Sequence, residues 1–154
     1  MDSPAVRFPP PLLFVLGYAA GWGLHRAVPW PLASGGRTLL GVTLAGLLFV
    51  LSGGLAGWAI WTFRRARTAV LPHHPAARLV TWGPYGVSRN PMYVALGLLY
   101  LSAALWRNLT WPLLLLPLVF LALWWWVVRR EERYLATTFG GAYEAYRRRV
   151  RRWL

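Results

Sequence analysis

The sequence predicts an all-α polytopic membrane protein, with about four transmembrane helices and short cytoplasmic helices at the C-terminal end. Three observations predict it. The 154-residue chain is 57% hydrophobic and carries eleven Trp, with a mean hydropathy of +0.41, greasier than an ordinary soluble domain. Its apolar residues fall in long uncharged runs. Backbone groups in lipid must satisfy one another within the segment, which leaves helices as the spanning structure. The charges are one-sided: Lys and Arg total 17, every one of them Arg, against four acids, for a formal charge of +13. Those Arg cluster between the apolar runs, the pattern of membrane topology. A nucleic-acid binder spreads its basic residues over a soluble surface or a recognisable motif, so no nucleic-acid partner is expected. The absence of Cys excludes disulfides and thiolate metal sites.

The elements follow in order. The first run covers about 11–28 and has His25 and Arg26 near its end. It lacks a strongly basic start and a small-residue cleavage site, so it reads as a retained span and not a signal peptide. The second, about 38–63, is uncharged and exceeds the ~20 residues that cross a ~30 Å hydrocarbon core. The third, about 91–106, is short; the fourth, about 109–128, carries no charge. Only Arg107-Asn108 separates the third from the fourth, so the two should form a tight antiparallel hairpin. The chain then reads as one membrane-embedded domain over 1–154. Arg64, Arg65, Arg67, Arg78 and Arg89 follow the second run, and eight Arg follow the fourth. Arg26, Arg37 and Arg107 lie on the opposite side. That bias places both termini and the 64–90 loop in the cytoplasm. Trp30, Trp58, Trp61, Trp82, Trp106 and Trp111 sit near span ends, as interfacial belts require. Asn108-Leu109-Thr110 matches a glycosylation acceptor, in a turn too tight and too near the bilayer to serve as one.

The two ends of the hairpin carry the chemistry. Arg89-Asn90-Pro91 precedes the third run, and Pro91 suits a first helical position. Amides at such an N-terminus favour anionic groups. After the fourth run the helix should continue to about Thr138 and break at Phe139-Gly140-Gly141. A second short helix, Ala142 to Trp153, would put Tyr143, Tyr146, Arg147 and Val150 on one side. Glu131 and Glu132 are two of only four acids. Ionisable residues near membrane depth lean functional. Simple pairing with Arg129 or Arg133 is the competing reading.

The stretch Arg89-Asn90-Pro91-Met92-Tyr93, preceded by Gly83-Pro84-Tyr85, resembles the Arg-His-Pro-x-Tyr segment of the isoprenylcysteine carboxyl methyltransferase family. Glu131-Glu132-x-x-Leu135, with Phe139-Gly140, Tyr143, Tyr146 and Val150-x-Arg152-Trp153, resembles that family's C-terminal signature. Phospholipid N-methyltransferases share both elements. The resemblance covers 79–153. It implies an integral membrane methyltransferase that uses S-adenosyl-L-methionine in a cytoplasmic pocket and takes a lipophilic substrate from the bilayer. It marks Arg89, Asn90 and Glu132 for catalysis. It marks Leu79, Val80, Gly83, Tyr85, Arg89, Pro91, Tyr93, Glu131, Glu132, Tyr143 and Tyr146 for the cofactor. Glu131 or Glu132 would meet the cofactor's ammonium, and Arg89 with the amides near Asn90 its carboxylate. The tyrosines and Trp153 would stack on adenine or face the sulfonium. Glu132→Ala should then abolish cofactor binding and leave the fold intact.

Departures from the pattern are Asn90 in place of His, which removes a titratable group, and Ala95 and Ser102 where relatives carry Gly. His73-His74 lacks a partner carboxylate nearby, so no metal is expected. A short, Lys-free, Arg-rich chain points to a prokaryotic inner membrane. The acceptor stays open: a carboxylate needs no general base, an amine does. A phospholipid or amine N-methyltransferase, a non-enzymatic membrane protein and a steroid-reductase-like membrane reductase are the alternatives.

Overall fold

The computed structural model describes residues 9–67 and 78–154. His73 and His74 lie outside the described residues. The protein is all-α, 76% helical, with no strand among the described residues. In chain order the helices are α1 (Pro10–Ala27), α2 (Leu39–Arg65), α3 (Pro91–Trp106), α4 (Thr110–Leu123), α5 (Arg129–Phe139) and α6 (Gly141–Arg149). A 3-10 turn, Gly83–Gly86, precedes α3, and a π-helical turn, Trp124–Val128, joins α4 to α5 without a break.

Local chemistry sets the helix ends. Thr38 caps α2, its Oγ1 accepting from the Gly41 amide at 3.0 Å. Pro91 occupies the first turn of α3, where a missing N–H costs nothing. Asn108 ends the α3–α4 hairpin at φ 57, a left-handed conformation that Asn tolerates better than most residues. Gly140 breaks α5 from α6 at φ 50.

Two antiparallel pairs build the bundle: α2 lies along α3, and α1 along α4. Small residues let the first pair approach closely. Ser52 Oγ donates to the Ala95 carbonyl at 2.7 Å, and Ser102 Oγ to the Ala45 carbonyl at 2.8 Å. Ala95 and Ser102 therefore serve the contact between helices, where small side chains and hydroxyls hold apolar helices together. In the second pair Gly21 meets Pro112, where an added Cβ would stand 2.7 Å from the proline nitrogen. Leu13, Phe14, Tyr100, Val119, Leu123, Val127 and Val128 form the core between α1, α3 and α4.

Two continuous helices, Leu39–Arg65 and Thr110–Phe139, are long and apolar enough to cross a membrane; Pro91–Trp106 is apolar but shorter. Much of α2 is bare, with Leu39 84% and Val50 70% exposed. An apolar surface of that extent calls for a lipid solvent.

The C-terminal end departs from expectation. The last helix stops at Arg149 and does not reach Trp153, and Val150 is extended at φ −116, ψ 130. The reason is tertiary. Ser88 bridges Arg151 in parallel register, and the Arg89 amide donates to the Arg151 carbonyl at 2.9 Å. The Arg151 and Arg152 carbonyls take their donors from the segment before α3 instead of from a continuing helix.

Candidate functional site

The site is built where three segments meet: the stretch before α3, the start of α5 and the C-terminal end. The helix geometry brings both acids into play. The π turn at Trp124–Val128 holds one residue more than an α-turn would, and such turns often mark functional positions. Just beyond it, Glu131 and Glu132 both point at chain-distant partners.

Glu132 is the hub. Arg152 grips it with a fork, Nε to Oε1 at 2.9 Å and Nη2 to Oε2 at 3.0 Å. Arg89 Nη1 stands 3.0 Å from Oε1, with the side chains of Arg89 and Glu132 only 9% and 15% exposed. The expected neighbours Arg129 and Arg133 are not its partners. Arg129 instead stacks on Trp124 and Trp125, at 5.3 and 4.3 Å from the ring centroids. Arg89 Nη1 also donates to Tyr143 Oη at 3.3 Å, and its Nε is buried without a hydrogen-bond partner. Glu131 lies one residue earlier, accepting from Tyr93 Oη at 2.7 Å.

Asn90 serves the backbone. Its Nδ2 donates to the Arg152 carbonyl at 3.0 Å, and its amide donates to Ser88 Oγ at 3.1 Å. Tyr146 Oη donates to the Tyr85 carbonyl at 2.7 Å, joining α6 to the 3-10 turn. Burial pushes the hydroxyls of Tyr85 and Tyr146 well up from the usual phenol range. Burial raises Tyr143 too, with Glu132 adding to the effect. All three stay neutral at any ordinary pH. The hydrogen bond to Glu132 raises the Arg152 guanidinium further.

Other expected residues are placed more widely. Leu79 packs with Tyr143, Tyr146 and Val150, close to the hub. Val80 and Tyr85 pack with Ala59, Phe63 and Met92 against α2. Pro91 is fully buried at the start of α3. Gly83 sits at φ 62, and a Cβ there would stand 2.8 Å from Thr62 Oγ1, so it lets the turn close onto α2. Trp153 packs edge-on against Phe120, ring centroids 5.2 Å apart. Ser88 and Arg152 belong to this cluster although the first did not stand out in the sequence. Arg152 did carry a signal, lying within Val150-x-Arg152-Trp153. A groove of about 230 Å³ lined by Leu32, Arg37, Leu44, Leu105 and Asn108 lies at the opposite end of the bundle and holds none of these residues.

The model of the family described as phospholipid methyltransferase, PEMT, matches residues 40–142. The chain belongs to this family. The curated proteins offer no match, and neither do the solved structures. Membership makes the chain a methyltransferase, and the family implies S-adenosylmethionine as the methyl donor. The matched region holds Arg89, Glu131 and Glu132 and ends just before Tyr143. The residues present fit the amino-acid end of that donor. The buried, unpartnered Nε of Arg89 is a hydrogen-bond donor suited to a carboxylate, and the adjacent acids suit an ammonium.

Proposed function

We propose that the chain is an integral membrane methyltransferase with four spans, both termini on the Arg-rich cytoplasmic side, acting on a lipophilic substrate. One observation supports this most: a partly buried Arg89–Glu132–Arg152 node, with Arg89 and Glu132 largely shielded and Arg152 36% exposed, and Glu131 held by Tyr93 beside it, at the end of an apolar hairpin. Charge shielded from water in this way is costly at a membrane boundary.

When bound, S-adenosylmethionine supplies an electrophilic methyl group on a sulfonium. The chain's residues have the remaining work. Arg89 holds the carboxylate of the donor's amino-acid end. Glu131 or Glu132 holds its ammonium. Tyr143 and Tyr146, neutral and buried, wall the cluster and keep water out. Displacement at carbon needs in-line approach and a dry site more than proton transfer. The lipophilic acceptor reaches this face from the bilayer, between helices whose outer surfaces are apolar.

Two acceptor classes have support. The family match favours a phospholipid amine. Asn90, where the Arg-His-Pro form has His, favours an acceptor that needs no base, such as the carboxylate of a prenylated cysteine. Labelled S-adenosylmethionine with purified protein, offered phosphatidylethanolamine vesicles or a prenylcysteine carboxylate, decides between them. The methylated product should partition into the organic phase. S-adenosylhomocysteine should raise the melting temperature in detergent, as a ligand that binds only the folded state must. No stabilisation at millimolar concentration would overturn the reading.

A further inference from the structure

We propose that Arg152, on the extended C-terminal segment, is a positioning residue: it holds Glu132 so that Arg89 keeps a donor for the carboxylate of the cofactor. This rests on the cofactor reading above and adds the last residues of the chain to the site.

The main chain of the segment is already tied down. The Arg89 amide donates to the Arg151 carbonyl at 2.9 Å. Asn90 Nδ2 and Ser88 Oγ reach the Arg152 carbonyl at 3.0 and 3.4 Å. The Val150 amide closes on Tyr146 at 3.0 Å, and Trp153 packs on Phe120. None of these contacts uses the Arg152 guanidinium, so anchoring the segment does not explain its placement.

The guanidinium has one target, both oxygens of Glu132. A planar fork on a carboxylate fixes orientation as well as distance. Glu132 is thereby oriented from one side, and Arg89 needs to give it only Nη1. The Nε of Arg89 is left buried with no partner. A carboxylate at the cofactor's amino-acid end would give that donor its acceptor. Without Arg152, Glu132 is free to rotate onto Arg89 and occupy both of its edges.

The test compares two ligands of the same site in the purified full chain. S-adenosylhomocysteine carries the carboxylate; 5′-methylthioadenosine shares the adenosine and sulfur but lacks the amino-acid end. Arg152→Met should weaken S-adenosylhomocysteine at least ~10-fold, the scale of one charge-assisted hydrogen bond, and leave 5′-methylthioadenosine within about 2-fold. Arg152→Lys keeps the charge but loses the fork, and should recover only part of the loss. Equal weakening of both ligands would mean that Arg152 only supports the fold, and unchanged affinity for S-adenosylhomocysteine would mean that it does not position Glu132; either overturns the proposal. If Arg152→Met does not fold, the same comparison on Arg152→Lys decides: a selective loss supports the proposal, an equal loss or none overturns it. A parental protein that binds neither ligand would instead overturn the cofactor reading, and this inference with it.

Discussion

The two ends of the bundle solve the same problem with different chemistry. At each, a segment between helices must be tied to a stretch far away in sequence. At the hairpin end the tie is neutral. Asn108 Nδ2 donates to the Ala33 carbonyl at 2.9 Å, and its Oδ1 accepts from the Ala33 amide at 3.0 Å. The Thr110 amide donates to the Trp30 carbonyl at 3.2 Å. The nearby Arg37 lies over the Trp106 ring, 5.6 Å from its centroid. At the other end the tie is ionic and partly buried, with Glu132 between Arg89 and Arg152. The neutral tie satisfies its polar groups with one another, while the ionic tie leaves the Arg89 Nε without a partner. That unused donor is why the proposed cofactor site is assigned to this end of the bundle.

The comparison can be broken at either end. The largest effect belongs to Glu132→Ala. It leaves two arginines, one of them largely shielded, without their anion, and should cost ~3 kcal/mol, the low end for a buried pair because Arg152 is 36% exposed, read as a lowered midpoint of denaturation in detergent. The simple expectation that this variant loses cofactor and keeps its full stability is therefore revised. A variant as stable as the parent would show that the ionic tie carries no structural weight. Asn108→Ala comes next, at ~1–3 kcal/mol for two lost hydrogen bonds and a strained left-handed residue. It should leave S-adenosylhomocysteine affinity unchanged, and a loss of affinity would mean that the two ends are coupled. Thr38→Ala is the smallest, ~1 kcal/mol for an N-cap at the far end of α2, with hydrogen exchange rising only in the first turn of that helix.

What could be read from the sequence was local. Pro91 opens α3 and Gly140 closes α5 because each acts through its own backbone. Long uncharged runs announce α2 and α4 for the same reason. Side-by-side acids near an apolar run suggested a polar site, and in the structure both acids meet polar partners distant in the chain. The partners could not be read, because Glu132 pairs with Arg152 across 20 residues and with Arg89 across the hairpin. Nearby Arg129 and Arg133 were the nearer candidates along the helix, and spacing alone cannot weigh a neighbour against a distant strand. The helical pattern through Arg149 suggested continuation to Trp153. Pairing with Ser88 and Arg89 overrides it, since tertiary hydrogen bonds outweigh weak helix propensity. Asn90 and Gly83 were marked as site residues, and their contacts in the structure are to the backbone of Arg152 and to α2.

The π turn at Trp124–Val128 has a consequence for the reading frame of the whole helix. Each residue of a regular helix advances the face by ~100°, and the wide turn absorbs one extra residue. Rewound as a plain helix with its length kept, the chain would deliver Arg130 to the place of Glu131 and Glu131 to that of Glu132. Tyr93 would then meet a cation. Deleting one residue inside the turn has the opposite result: the helix straightens, and both acids keep their phase. The wide turn is thus a one-notch vernier between the membrane-spanning part of the helix and its charged end.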